Sequence, residues 1–241
     1  VNHITNAEIV HQWSDIPRAF IEAFGDEGDF AHQHLLNPTL FSLLGNIRNK
    51  RILDAGCGTG YLARLLSEQG AHVVGLEPAT PLIEYAIERE QHEPLGIEYL
   101  QADLTTWRDS DRLFDVVIAN MVLMDIPDYE AALDTCLLHL RHGGQFVLSL
   151  SHPCFEESDS DYQAKGYIAV KEYFQEYCIE QRWACRFHRP LCHYFNALLQ
   201  RGCIIQAVVE PKLDAEQAQS APERERNLHV PSFIVIQVGK Q

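Results

Sequence analysis

The sequence predicts an α/β protein built on a doubly wound, mostly parallel sheet, and three observations carry that expectation. Short continuous apolar runs, the mark of strands buried on both faces, alternate with stretches of helical apolar spacing. One run empties into a glycine-rich turn that opens a helix. Acidic residues stand where successive runs end, the edge at which doubly wound sheets hold ligands.

Taken in order, residues 1 to about 48 read as amphipathic helix, with Ile16, Phe20 and Phe24, then Leu35, Leu36, Leu40, Leu43 and Leu44, interrupted by turn residues at 25–29. This segment is expected to be an N-terminal helical cap on a core of residues 49–241. Apolar runs at 51–55, 72–76, 97–100, 114–119 and 145–150 are the predicted strands. Between them, Leu62, Leu65 and Leu66 share a helical face, as do Leu133, Leu137 and Leu140, with Gly143 and Gly144 expected to end the second helix as a C-cap. Beyond residue 150 the pattern loosens. A polar loop at 158–161, beginning with Ser158, leads to strand-like content at 167–187, so an inserted cap is expected at about 152–190. A helix at 191–201, a strand at 204–210, a polar segment at 214–227 and a final strand at 233–238 complete the chain.

Composition narrows the function. Of 241 residues, 46% are apolar, enough for a sizeable core, yet no run approaches the ~18 apolar residues of a membrane span. The first residues show no signal-peptide pattern, and no weight rests on a start without Met. Nineteen Lys and Arg against thirty-four Asp and Glu leave a net charge of −15 and no basic stripe. That pattern disfavours nucleic acid, whose phosphates demand one, and favours a small molecule as partner. Seven cysteines, none in a CxxC pair, read as reduced thiols of a cytoplasmic protein, monomer or homodimer. Cys178, Cys185 and Cys192 recur every seven residues near His188 and His193, but structural zinc uses closer ligand pairs, so no metal is expected.

Chemistry concentrates after the first strand. Gly56, Gly58 and Gly60 follow Asp54 and precede a helix; without Cβ atoms, their backbone can turn tightly and approach a ligand. The nicotinamide fingerprint GxGxxG requires another glycine where Tyr61 stands. Asp54 would repel a pyrophosphate but can accept from an amino group, and Cys57 supplies a small residue between glycines. Glu77, before Pro78, ends the second run, where a carboxylate can accept both hydroxyls of a ribose. Asp103, before Leu104, ends the third and can accept from an exocyclic amine. Asn120 and Met121 close the fourth at the floor of the cleft.

In this register the chain resembles the class I S-adenosylmethionine-dependent methyltransferases over residues 50–153. The flanks, His188-Arg189-Pro190-Leu191 with Tyr194 and Phe195, and Trp13 to Ile16, resemble a bacterial small-molecule subgroup. The resemblance implies a seven-stranded Rossmann-like sheet with its last strand antiparallel. It implies S-adenosyl-L-methionine as cofactor, held at Gly56, Gly58, Glu77 and Asp103, with S-adenosyl-L-homocysteine as product. The implied reaction moves a methyl group to an oxygen or nitrogen of a small metabolite. Phe20 departs from the pattern, since relatives often carry a tyrosine there. A non-catalytic S-adenosylmethionine-binding module and, with less support, a nucleotide-dependent oxidoreductase are the other readings.

A sulfonium methyl needs no better leaving group, so the protein must place a nucleophile in line with it, roughly 3–3.5 Å away, and exclude water. A hydroxyl acceptor also needs a base, and histidine suits neutral pH. His152, directly after the fifth run, is the leading candidate, with His188 second. His32 and His34 from the N-terminal cap, and Arg189, His193 and Tyr194 from the second, are candidate substrate contacts. The aromatic residues of the inserted cap fit an aromatic acceptor or a core equally well.

Overall fold

A computed structural model describes residues 4–109, 111–156 and 159–240; Ser158, at the start of the expected polar loop, lies outside them. Helix α1 (Asn6–Ser14) starts at a capping box in which Thr5 and Glu8 satisfy each other's backbone amides. Helix α2 (Arg18–Ala23) follows, and a π-helical turn, His32–Leu36, runs into α3 (Asn37–Leu44). Alternation then sets in: β1 (Arg51–Ala55), α4 (Tyr61–Glu68), β2 (His72–Leu76), α5 (Thr80–His92), β3 (Glu98–Leu100), β4 (Phe114–Asn120), α6 (Tyr129–Leu138) and β5 (Leu140–Ser151). After α7 (Asp159–Lys165), strands β6 (Tyr177–Glu180) and β7 (Cys185–His188) form a separate hairpin. Helix α8 (Leu191–Gln200), β8 (Cys203–Val209), α9 (Ala215–Ser220) and β9 (Phe233–Lys240) end the chain.

The sheet has seven strands in the order β3-β2-β1-β4-β5-β9-β8, with β9 antiparallel to both its neighbours. This is the expected doubly wound sheet, and the strand order reverses between β1 and β4, where such sheets bind ligands. Strand pleating separates the core into two layers. Leu53, Val117 and Phe146 face Leu133, Leu137 and Leu198, while Ile52, Val116 and Val147 face Leu40, Leu44, Leu62 and Leu66.

Three expectations need correction. Gly143 and Gly144 do not cap the helix: α6 stops at Leu138, and both glycines lie within β5. The pairing with β4 jumps there from Phe114↔Leu140 to Val116↔Gln145, and Gly143 takes φ 71°, so the glycines serve a bulge. The third strand stops at Leu100, which places Asp103 in the following loop. Cys178 and Cys185 are not free thiols but form a disulfide. The hairpin register, Cys178↔Phe187 and Glu180↔Cys185, sets them diagonally on one face with Cα atoms 5.7 Å apart, within bonding range. Among the described residues no helix is long and apolar enough to cross a membrane.

Candidate active site

The glycine loop is pinned to the end of β2, because the amides of Gly56 and Cys57 both donate to the carbonyl of Leu76, at 2.7 and 3.0 Å. The glycines are not equivalent. A Cβ on Gly56 would lie 2.6 Å from the Val122 side chain, and one on Gly60 would collide with the hydroxyl of Tyr99. A Cβ on Gly58 would meet open space, so this residue, at φ 55°, presents bare backbone to the cleft. Cys57 is buried between them, and burial pushes its thiol well above the ordinary range, leaving it inert.

Around this loop lies a row of carboxylates. Glu77 accepts the Gly58 amide at 3.1 Å and the Ala79 amide at 2.9 Å. Burial nevertheless raises its carboxyl to about 7, with Asp103 adding repulsion. Asp54 is buried, and one of its oxygens, Oδ2, has no hydrogen-bond partner among the described residues. Burial, then the charge of Glu77, raises it to about 7 as well. Asp103 takes the Thr105 amide and hydroxyl on one oxygen, each at 2.8 Å, and the Asn6 side chain on the other at 2.6 Å. Pro78, partly exposed, accepts at its carbonyl from Gln101. The Leu104 side chain packs in the core, which leaves its backbone as the part that could meet a ligand.

The floor is one hydrogen-bonded chain. Tyr61 donates to Asn37 (3.2 Å) and accepts from Asn120 (2.8 Å), whose carbonyl accepts from Ser149 (2.6 Å). The Ser149 hydroxyl in turn accepts the Met121 amide at 2.9 Å. That bond helps hold Met121 at φ 60°, a conformation that side chains other than glycine disfavour. Rings of Phe24 and His32 stand edge-on to Tyr61 at 5.3 and 5.4 Å. His32 is paired with Asp29 at 2.7 Å; burial would raise that carboxyl, but His32 prevails and holds it at about 2. His34 diverges from its neighbour, packing on Phe30 and facing a different groove, lined by Pro38, Ser42, Lys212 and Gln217.

The histidines proposed for proton transfer are already engaged. His152 accepts the Cys154 amide at Nδ1 (3.2 Å), so its proton sits on Nε2 and is given to Glu210 at 2.9 Å. Burial holds this imidazole below its ordinary pKa despite the Glu210 partner. His188 places Nδ1 on Glu156 (2.6 Å) and Nε2 on the carbonyl of Tyr173 (2.9 Å), with Tyr177 stacked on its ring. His193 pairs with Glu176 on the surface. Arg189 is only 2% exposed: its guanidinium donates to the carbonyls of Leu123, Ile126 and Pro127 and to the Tyr194 hydroxyl. Sequence offered it as a candidate substrate contact; its geometry here is that of a brace. Tyr194 is fully buried against Tyr129, in the core.

Sequence reasoning passed over several residues gathered here. Asn6 and Asn37 arrive from helices with no local signal. Glu156 and Arg186, which also donates to Ser151 at 2.7 Å, come together through the hairpin. Asp125 sits on a 3-10 turn, Leu123–Asp125, directly after the fourth strand. Burial raises its carboxyl to about 7, against the pull of Arg186 and Arg189. Its position at a strand's C-terminal edge was the available signal.

Comparison with known proteins agrees with this geometry. Residues 30–198 match a methyltransferase domain. A crystal structure described as an S-adenosylmethionine-dependent methyltransferase from Mesorhizobium loti is 26% identical, with a TM-score of 0.76, covering 90% of this chain and all of that one. A ubiquinone biosynthesis O-methyltransferase of Coxiella burnetii is 28% identical over 119 residues, 48% of this chain and 51% of that protein. One of Haemophilus ducreyi is 29% identical over 151 residues, 59% and 60% respectively. The chain thus spans about half the length of the Coxiella relative. With the match covering more than half of its residues and falling on the glycine loop, the carboxylate row and the fourth-strand floor, the chain belongs to the methyltransferase-domain family.

Proposed function

We propose that this protein transfers the methyl group of S-adenosyl-L-methionine to an oxygen or nitrogen of a small molecule and releases S-adenosyl-L-homocysteine. The observation that carries this reading is the row Asp54, Glu77 and Asp103 around a glycine loop with one bare face. These carboxylates repel one another, and the row includes a buried oxygen with no partner among the described residues. A ligand with an ammonium and a sulfonium completes such a row; a pyrophosphate would worsen it. Asp54 would take the ammonium, Glu77 the ribose hydroxyls and Asp103 the adenine amine, with the Gly56 and Gly58 backbone beneath. When bound, the cofactor supplies an activated methyl.

The chain's own work is then positioning and the exclusion of water. Helix α1 reaches Asp103 through Asn6 and the hairpin through Gln12, which accepts the Cys185 amide at 3.0 Å. Phe20 meets Trp183 of the same hairpin edge-on at 5.4 Å, packing as an exposed ring. These contacts support the N-terminal and inserted segments acting as caps over the cleft. The names of the curated relatives and the acidic overall charge support a hydroxylated small molecule as acceptor. Tyr61, buried and bonded at its hydroxyl, occupies the place of a third fingerprint glycine and weighs against a dinucleotide. Calorimetric titration with S-adenosyl-L-methionine, S-adenosyl-L-homocysteine and NAD tests the proposal. Micromolar binding of the first two and none of the third is expected; NAD binding alone would overturn it.

A further inference from the structure

We infer that Asp125 stands at the methyl-transfer end of the cleft and accepts a hydrogen bond from the acceptor's hydroxyl or amino group, with Arg189 as its positioning residue. This rests on the proposed use of S-adenosyl-L-methionine.

The argument begins with the turn. Asp125 donates its amide to the carbonyl of Val122 at 2.9 Å, and a 3-10 turn has three residues per revolution. Side chains three apart therefore project the same way. Val122 projects onto Gly56, occupying the space a Cβ there would need. Asp125 is thus directed to the side of the turn on which the glycine loop lies.

Its electrostatic neighbours agree. The charges of Arg186 and Arg189, from the hairpin and its exit, and of Glu77, the expected ribose ligand, all act on Asp125. The space between the cofactor's ribose and a cap is where an acceptor must approach the methyl. Asp125 remains partly exposed, and its carboxylate accepts no hydrogen bond from any described residue. The nearby histidines differ: both nitrogens of His152 and of His188 are engaged.

Arg189 explains how the turn holds its shape. Three carbonyls of the turn and the residues that follow it, those of Leu123, Ile126 and Pro127, converge on one guanidinium at 2.8–3.2 Å. The planar fork of arginine suits such convergence, and lysine could not reproduce it. Arg189 gives these donors to backbone carbonyls, and so fixes where Asp125 points.

The test uses cofactor analogues, so it does not wait on the acceptor's identity. Sinefungin carries an ammonium-bearing carbon where the cofactor carries its methylated sulfur, and S-adenosyl-L-homocysteine carries no charge there. For the full chain, Asp125→Asn is expected to weaken sinefungin about tenfold more than S-adenosyl-L-homocysteine, with Asp125→Glu restoring part of the preference. Arg189→Lys is expected to lower the same ratio in part. Equal weakening of both ligands, or an unchanged ratio, overturns the inference. If the Asn variant does not fold, Asp125→Ser is read by the same ratio, with the same two outcomes. Failure of the unaltered protein to bind either analogue would instead overturn the proposed function.

Discussion

The side-chain amide of Asn6 lies 2.6 Å from Asp103 Oδ2, tying the first helix to the loop after the third strand across 97 residues of sequence. The same amide reaches the Thr105 hydroxyl at 3.2 Å, so a single residue anchors α1 to the expected adenine end of the cleft. Asn6→Ala removes a hydrogen bond to a charged acceptor, worth about 1.5–3 kcal/mol. Amide exchange in α1 should then accelerate by roughly tenfold or more, and S-adenosyl-L-methionine should bind more weakly as Asp103 loses its orientation. Hydrogen exchange measured with and without ligand checks both parts; an unchanged α1 would show that the helix is held elsewhere.

Asp54 and Glu77 make stability depend on pH with a definite sign. Both carboxyls sit at about 7 in the folded protein, above the ~4 of an unfolded chain. The folded state therefore holds protons that the unfolded chain has released. This contribution to stability is fully present below about pH 4, falls as pH rises towards 7, and is lost above it, a change on the order of 1–4 kcal/mol. Asp54→Asn should flatten the profile and raise the melting temperature of the ligand-free protein at pH 8, while abolishing tight cofactor binding. Melting curves from pH 5 to 8 for both proteins decide the matter, and parallel profiles would count against it.

Glu77→Gln should weaken S-adenosyl-L-methionine by about ten- to a hundredfold. The variant loses the charge proposed to face the ribose and exchanges one of the acceptors serving Gly58 and Ala79 for a donor. Calorimetry reads the change directly; retained affinity would mean that β2 does not end at the ribose.

Arg189 and His193 should separate cleanly. Arg189→Met leaves the buried Leu123 carbonyl and the partly buried carbonyls of Ile126 and Pro127 without their donor, at up to about 1–3 kcal/mol each, and should lower the melting temperature by several degrees. His193→Ala removes an exposed pair with Glu176 and should change stability by less than ~1 kcal/mol. Thermal unfolding of the two variants is the measurement, and a stable Arg189→Met protein would refute the bracing role.

The disulfide closes a short loop, for which loss of the cross-link costs about 2–3 kcal/mol locally. Cys178→Ser with Cys185→Ser should therefore expose residues 177–188 to protease sooner while the seven-stranded core melts almost as before. Limited proteolysis followed by mass spectrometry locates the first cuts. First cuts elsewhere would indicate that the hairpin does not depend on the bond.

Sequence by itself determined the parts of this protein whose physics is local. Continuous apolar runs are legible because a strand covered on both faces must be apolar throughout, and the turn at Gly56, Gly58 and Gly60 because backbone geometry demands those residues. Glu77 followed from its place at a strand end, a rule of open α/β sheets that needs no coordinates. Tertiary structure alone decided which polar side chains remain free. His152, His188 and Arg189 look alike in sequence as candidate site residues, yet their partners Glu210, Glu156 and the carbonyls of Leu123, Ile126 and Pro127 lie 32 to 66 residues away. The Cys178–Cys185 bond and the register jump at Gly143 and Gly144 were likewise settled by strand pairing. A buried polar group must find its hydrogen bonds wherever folding brings a partner, and that choice is made by packing across the whole chain.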